Sequence, residues 1–120
     1  MNEDEPVIGV VGPCAAGKST LVSDLRGLGY QVRHIAQEHS YVQDMWKQIS
    51  NPDVLIYLDV SFEISKKRTD SNWSRVIYEN QVQRLVHANK HMDLYINTDS
   101  YSTDQVLDQV LKYLQDIVTE

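Results

Sequence analysis

The sequence has 120 residues, which is enough for one hydrophobic core and too few for two. Its formal net charge is −6 and its one basic cluster is Lys66-Lys67-Arg68, which argues against a nucleic-acid-binding surface, since phosphate contacts dominate that affinity. The chain contains no signal-peptide pattern and no apolar run near about 18 residues, so we expect a cytoplasmic protein without a membrane segment.

Cysteine content and chain length limit the covalent cross-links, the metal sites and the number of domains that the chain can form. The single cysteine, Cys14, excludes an internal disulfide and a zinc site built on several thiolates. We expect one domain over residues 1–120, with the acidic residues 1–6 as a disordered tail.

The strongest pattern lies near the start of the chain. Val7–Val11 is a run of small apolar residues that predicts a β-strand, and apolar residues at helical spacing after residue 20 predict a helix to about Arg26. Between them stands a segment that fits the phosphate-loop pattern G-x-x-x-x-G-K-[ST] at every fixed position: Gly12, Pro13, Cys14, Ala15, Ala16, Gly17, Lys18, Ser19 and Thr20.

This spacing has a chemical reason. The two glycines let the backbone turn tightly, so that successive N–H groups form an anion-binding nest at the start of a helix. Lys18 would then reach the β- and γ-phosphates of a nucleoside triphosphate, and the Ser19 hydroxyl would bind Mg²⁺. The loop therefore predicts binding of ATP with Mg²⁺.

The next segment predicts a strand and a short helix. Residues 31–36 alternate polar and apolar side chains, which is typical of a strand with one wetter side or of an edge strand, and Gln37-Glu38-His39 follows it. Ser40 and Gln43 have the spacing of a capping box, so residues 40–49 predict an amphipathic helix.

The middle of the chain predicts a buried strand between helices. Residues 54–60 are apolar on both alternating faces, which is typical of a central strand in a parallel sheet, and the strand ends at Asp59. Ser61 is placed to cap a helix that runs through Arg68. The polar residues 69–74 interrupt it, and residues 74–89 predict another helix.

The last part predicts a short strand and a long helix. Residues 94–98 form the strand, residues 97–100 the turn after it, and Ser102 with Gln105 a capping box. The helix that follows has a continuous apolar stripe typical of a core-facing surface: Val106, Leu107, Val110, Leu111, Leu114, Ile117 and Val118.

Strands that alternate with helices predict an α/β fold, a three-layer sandwich around a parallel four-stranded sheet. Right-handed crossovers, together with the two most apolar strands at the centre, favour the strand order 2-1-3-4.

With these elements the sequence resembles the P-loop nucleoside and nucleotide kinases. Beyond the phosphate loop, residues 54–63 resemble the "strand, Leu-Asp-Val, then helix" segment of thymidylate-kinase-like proteins. Residues 93–99 resemble the last strand and adenine-side turn of shikimate-kinase-like proteins, so Asn97 is a candidate nucleotide contact. The resemblance also implies a mobile lid, here shortened to residues 69–74.

In such kinases the lid carries arginines that touch the transferred phosphoryl group. The candidates in this sequence are Arg68, Arg75 and Arg84, and the alternative for each is a solvated surface position.

The sequence departs from the group in two ways. The extra strand and the acceptor-binding helices are missing, and so is the Asp-Arg pair that often ends the strand beside the phosphate loop. Glu38 is positioned to replace that aspartate, either organising Mg²⁺ through water or accepting a proton from an acceptor hydroxyl, unless it is an ordinary solvated carboxylate. Asp59 is the rival carboxylate, with a capping or loop-ordering role as its own alternative. His39 is expected at the surface.

Other functions of the loop are less compatible with this sequence. A GTPase needs Asp-x-x-Gly, and no glycine follows Gly29; a transporter ATPase needs a Ser-Gly-Gly signature, and an AAA-type machine needs a far longer chain. Two hypotheses remain. The protein is an ATP-dependent phosphotransferase acting on an unidentified small-molecule acceptor, or an ATP-binding sensor or assembly module without that activity.

Overall fold

The computed structural model describes residues 5–69 and 72–118, so part of the expected tail, residues 1–4, and lid residues 70 and 71 lie outside it, as does the side chain of Val118. The regular elements, in chain order, are β1 (Val7–Val11), α1 (Lys18–Gly27), β2 (Gln31–His34), β3 (Val54–Asp59), α2 (Phe62–Arg68), α3 (Arg75–Arg84), α4 (Val86–His91), β4 (Leu94–Asn97) and α5 (Thr103–Val118). A 3₁₀ turn at Gln37–His39 and a π-helical turn at Trp46–Ser50 lie between β2 and β3.

The four strands form one parallel sheet in the order β2-β1-β3-β4. This confirms the predicted α/β class, strand direction and strand order. Three strands end one or two residues earlier than predicted, which is the usual uncertainty of element ends. Because parallel strands end at one edge of the sheet, the phosphate loop after β1 and the segments after β2, β3 and β4 meet there.

Helices cover both faces of the sheet, which explains why β3 is apolar on both sides. Val54, Ile56 and Leu58 pack in one cluster with residues of α1 and α5. Leu55 and Tyr57 face the opposite way, into a second cluster that contains Trp46, Leu85 and, from α4, Ala88. The apolar stripe of α5 therefore lies in the core, as predicted, with Val106, Val110 and Leu114 buried.

The predicted helix over residues 40–49 is wrong, since only the π-helical turn at its end is helical. A buried side chain, Gln37, takes the backbone groups that a helix would need: its Nε2 donates to the Val42 carbonyl at 2.8 Å, and its Oε1 accepts from the Trp46 N–H at 2.9 Å. The Ser40 hydroxyl accepts from the Val42 N–H at 3.1 Å instead of capping a helix. Side-chain bonds of this kind compete with helix formation.

The predicted helix over residues 74–89 divides into α3 and α4 at the fully buried Leu85. The caps predicted at Ser61 and Ser102 are confirmed. The Ser61 hydroxyl caps α2, the Ser74 hydroxyl caps α3, and Ser102 with Gln105 forms the reciprocal bonds of a capping box before α5.

In the described residues no helix has both the length and the apolar character that crossing a bilayer would require.

Candidate functional site

The phosphate loop joins the buried strand β1 to the N-terminus of α1, and its backbone adopts conformations that favour glycine. Gly12 has φ 152°, and a Cβ atom there would overlap the Leu58 carbonyl oxygen of the neighbouring strand. Gly17, the N-cap of α1, has φ 102°. Ala15 has a left-handed φ of 69°, a strain of about 1–3 kcal/mol that often marks functional sites. The loop is thus held in one shape by the sheet beside it.

Lys18 is the best-connected side chain of the loop. Its buried ammonium donates to the Gly12 carbonyl at 2.5 Å, to the Pro13 carbonyl at 3.2 Å and to Glu38 Oε2 at 2.5 Å. All three donor hydrogens therefore have acceptors. A phosphate group that bound this ammonium would have to replace some of these acceptors.

Glu38 is brought to Lys18 by the 3₁₀ turn after β2. The residue is 4% exposed, so the solvated-carboxylate alternative for Glu38 is wrong. Its backbone carbonyl accepts from Arg84 Nη1 at 3.2 Å, which ties the turn to α3. Its Oε1 atom is buried and has no hydrogen-bond partner among the described residues. His39 follows at the surface, as expected, with its side chain 60% exposed.

Asp59 lies at the end of β3, and its carboxylate is already engaged. Oδ2 accepts from the Tyr95 hydroxyl at 2.5 Å, and Oδ1 accepts from the Val60 N–H at 2.9 Å. Burial and this hydrogen bond raise the pKa of Tyr95 to about 12. Asp59 is not among the residues that line the two cavities beside the loop. These contacts match its loop-ordering alternative.

Arg68, at the end of α2, reaches across the loop. Its Nη1 donates to the Ala15 carbonyl at 2.9 Å and to Thr98 Oγ1 at 3.1 Å, and its Nη2 donates to the Thr98 carbonyl at 2.8 Å. The guanidinium therefore connects α2, the phosphate loop and the segment after β4. It also lines both cavities beside the loop.

The other two candidate arginines lie elsewhere. The Arg75 guanidinium lies over the Phe62 ring, 4.3 Å from its centroid, and is 3.6 Å from the exposed Glu63 carboxylate. The Arg84 guanidinium lies over the exposed Tyr41 ring, 4.5 Å from its centroid. Neither lines the two cavities that flank the phosphate loop.

Two cavities flank the loop. The first, of about 340 Å³, is the phosphate cavity, and it is lined by Cys14, Ala15, Gly17, Lys18, Ser19, Thr20, His34, Glu38 and Arg68. We call the second, of about 300 Å³, the base cavity for the role proposed for it below, and it is lined by Ala15, Ala16, Gly17, Thr20, Leu21, Arg68, Thr98, Tyr101, Ser102, Thr103 and Val106. The phosphate cavity brings together most of the predicted site residues.

The lining of the base cavity includes Thr98 but not the predicted nucleotide contact, Asn97. Asn97 does not line it, and its side chain instead accepts from the Asp99 N–H at 2.9 Å. Thr98, one residue later, does line it, and the buried Thr98 hydroxyl donates to the Ala16 carbonyl at 2.9 Å. Thr98 and Tyr101 were missed because nothing in their local pattern distinguishes them; only the position after a parallel strand could have indicated them.

Two further polar residues support the phosphate cavity and were also missed. Gln81, buried on α3, accepts from the Cys14 N–H at 2.9 Å and donates to Cys14 Sγ at 3.2 Å. His34, at the end of β2, lines the cavity, and partial burial together with the Lys18 ammonium lowers the pKa of His34 below 6.5.

The donor set fits Mg²⁺, a hard cation that takes oxygen ligands and keeps several waters. The Ser19 hydroxyl and the Glu38 carboxylate belong to the same cavity, and the unpaired Glu38 Oε1 leaves lone pairs for a cation or its water. Together, these groups can bind a phosphate chain at Lys18 and hold its counter-cation.

Comparison with known proteins shows similarity over part of the chain. No family model matches the chain. A probable thymidylate kinase of Methanococcus aeolicus is 35% identical over the aligned region, which covers 54% of this chain and 40% of that protein. The chain thus spans less than half the length of this relative. Taken with the parallel sheet, this similarity supports a relationship to P-loop kinases.

Proposed function

We propose that the protein binds Mg-ATP at the phosphate loop and transfers its γ-phosphoryl group to a small-molecule acceptor. The observation that carries the proposal is the position of Lys18, whose buried ammonium lies in a cavity formed by the phosphate loop, Ser19 and Glu38. A loop of backbone N–H groups, a lysine and a hydroxyl at this spacing form a phosphate site with a cation site beside it.

The two cavities suggest how the nucleotide is held. Its phosphates would occupy the phosphate cavity, and its base would enter the base cavity, where Tyr101 and Val106 provide apolar surface. Arg68 belongs to both cavities, so its guanidinium can contact the phosphate chain. A planar guanidinium with several donors is well suited to phosphate oxygens.

Phosphoryl transfer needs mainly positioning and charge neutralisation, which these residues can provide. Lys18 would exchange the Gly12 carbonyl and Glu38 for phosphate oxygens. Ser19 and Glu38 would hold Mg²⁺, which supplies neutralisation of the phosphate charge when bound. We assign the carboxylate role to Glu38 because the Asp59 carboxylate is engaged by Tyr95 and lies outside the phosphate cavity.

The first acceptors to test are nucleotides, because the similar protein is named as a probable thymidylate kinase. Nucleosides and small alcohols complete the panel. If ATP binds but no acceptor is phosphorylated, the alternative of an ATP-binding sensor or assembly module is favoured.

Thermal melting with and without Mg-ATP tests the binding proposal. Ligand at about 100 times its dissociation constant should stabilise the fold by about 2.7 kcal/mol. Lys18→Ala should remove most of the shift, because a positive charge on the phosphates is lost. Lys90→Ala, at an exposed position on α4, is the control and should keep it. Unchanged melting of the native protein with millimolar Mg-ATP or Mg-GTP would contradict the proposal.

The role of Arg68 in transfer can be separated from its role in binding. Arg68→Ala should lower turnover more than ATP affinity, because the guanidinium would act mainly on charge that develops in the transition state. Equal losses of turnover and affinity would instead indicate a plain binding contact. Arg75→Ala, outside both cavities, is the control.

A further inference from the structure

Three metal-ligating side chains from two segments meet beside the phosphate cavity. His39 Nε2 lies 3.8 Å from Cys14 Sγ and 3.8 Å from Glu38 Oε2. One ligand atom from each of the three residues lies within 4.8 Å of the other two. Within residues 5–69 and 72–118, this is the one cluster of three or more His, Cys, Asp or Glu side chains with such spacing.

The distances are close to those of a tetrahedral metal site. Zinc bonds of about 2.0–2.3 Å to nitrogen, oxygen and sulfur place neighbouring ligand atoms about 3.4–3.6 Å apart. Two of the observed separations, at 3.8 Å, are near that range, and the third is within 4.8 Å. The Glu38 atom at 3.8 Å is Oε2, which Lys18 already holds, so the ion would take the other oxygen, Oε1, after a rotation of the side chains.

The buried carboxylate gives an independent indication of a ligand. Glu38 is 4% exposed, and its Oε2 is paired with Lys18, but its Oε1 has no hydrogen-bond partner among the residues that the structure describes. Buried polar atoms are normally satisfied, and an exception calls for an explanation such as an ion. A carboxylate has lone pairs on both oxygens, so it can accept a cation while Lys18 remains in place.

We propose that Cys14, Glu38 and His39 bind a transition-metal ion of the zinc class, leaving a fourth position open to water. A thiolate, an imidazole and a carboxylate together suit Zn²⁺ or Co²⁺, whereas Mg²⁺ takes oxygen ligands. The thiol proton is released to solvent when the metal–sulfur bond forms, and no group is oxidised or reduced. This site shares Glu38 with the proposed magnesium site. It differs from that site in its other ligands, which are Cys14 and His39 instead of Ser19.

The surroundings favour such a site. Gln81 donates its side-chain N–H to Cys14 Sγ and accepts from the Cys14 N–H, which fixes the direction of the sulfur atom. Outer hydrogen bonds of this kind orient metal ligands. The His39 side chain is 60% exposed, so an ion can enter from solvent.

Titration of the untagged full chain with Co²⁺, without nucleotide, tests the proposal. A cobalt–thiolate bond gives a strong near-ultraviolet charge-transfer band, and because the chain has one cysteine the band would report Cys14 alone. We expect the band to appear at one equivalent and to be removed by Zn²⁺. If excess Co²⁺ gives no such band in the native protein, the proposal is overturned.

Variants identify the remaining ligands. Cys14→Ser should abolish the band, and His39→Gln should weaken Co²⁺ binding on the order of tenfold or more, with folding checked by circular dichroism. His91→Gln is the control, because the His91 ring lies 4.4 Å from the His87 ring, centroid to centroid and tilted by 37°, and this pair could bind metal independently. Equal weakening by His91→Gln and His39→Gln would overturn the assignment.

This test does not depend on the proposed function. A cobalt band in a protein that Mg-ATP does not stabilise would support the metal site and contradict nucleotide binding. Stabilisation by Mg-ATP of a protein that shows no cobalt band would support nucleotide binding and contradict the metal site.

Discussion

The Lys18–Glu38 ion pair is the strongest feature at the scale of single residues. Both side chains are nearly buried, and their charged atoms are 2.5 Å apart. Taking two charges out of water is costly, and their attraction compensates only when the geometry is good and the remaining donors and acceptors are satisfied. Lys18 meets this condition because two backbone carbonyls accept its other hydrogens. Glu38 does not, because its Oε1 has no hydrogen-bond partner among the described residues. An ion pair with this unsatisfied atom fits a binding site, where Lys18 and Glu38 exchange each other for a ligand. It fits less well with a pair that only stabilises the fold.

A double-mutant cycle tests this interpretation. Glu38→Leu alone should cost about 3–5 kcal/mol of stability, because it leaves a buried ammonium without its counter-charge. The double variant Lys18→Met with Glu38→Leu should lose much less than the sum of the two single variants. Chemical denaturation of the four proteins measures the free energies. Additive losses would show that the two charges act independently.

His34 predicts a pH dependence of nucleotide binding. Its pKa in the free protein is below 6.5 because of partial burial and the nearby Lys18. Bound phosphates would bring negative charge to the same cavity and raise this pKa, so binding would take up a proton. ATP affinity should then increase as the pH falls through the pKa that His34 has in the complex. The same titration with His34→Gln corrects for protonation of ATP itself, and identical pH profiles for both proteins would contradict the assignment.

At the scale of elements, α3 contacts the phosphate loop through Gln81 and not through its candidate arginines, Arg75 and Arg84. Its exposed residues include Val76 and Ile77, while the buried Gln81 points its amide at the phosphate loop. The amide holds both the N–H and the sulfur of Cys14. The helix α3 is thus connected directly to the phosphate loop.

Replacing Gln81 tests this connection. Gln81→Met keeps the approximate volume but removes both hydrogen bonds, so the Cys14 N–H loses its partner at a cost of about 1–3 kcal/mol. We expect lower thermal stability and weaker Mg-ATP stabilisation, both measured by thermal melting. Gln83→Met changes the same residue type at an exposed position of α3 and is the matched control. If both variants melt and bind alike, Gln81 does not organise the loop.

At the scale of the whole molecule, the sheet determines where the site forms. Strand β1 lies between β2 and β3, so the loop that follows it is flanked by Glu38 on one side and by the segment after β3 on the other. Gly9, in the middle of β1, faces Ile35 and Pro52 from the neighbouring connections. Close approach at this point requires a residue without a side chain.

Gly9→Ala tests how tightly these connections pack. The added Cβ would lie 2.7 Å from Ile35 Cδ1 and 2.8 Å from Pro52 Cγ, so the variant should lose about 1–3 kcal/mol of unfolding free energy. At Gly27 an added Cβ would meet no heavy atom within 4 Å, so Gly27→Ala should be neutral or stabilising. Urea denaturation compares the two, and equal stability would show that the sheet adapts to the extra atom.

The sequence alone was sufficient for the sheet, its strand order and the phosphate loop. These features depend on local information: residue types at fixed spacing in the loop, alternation in the strands, and capping residues at the helix starts. Lys18 and Ser19 could therefore be predicted to lie together, and both line the phosphate cavity. The helix caps at Ser61 and Ser102 have the expected bonds.

Only the tertiary structure could distinguish Glu38 from Asp59, since both are acidic residues after a strand, and their difference lies in partners far along the chain. A contact outside the local pattern also explains the wrong helix at residues 40–49. There the buried Gln37 amide forms hydrogen bonds with backbone groups that would pair with each other in a helix. Such contacts also explain why Thr98 and Gln81 were missed. A side chain that bonds to residues distant in sequence leaves no periodic signal, so its role is decided by packing.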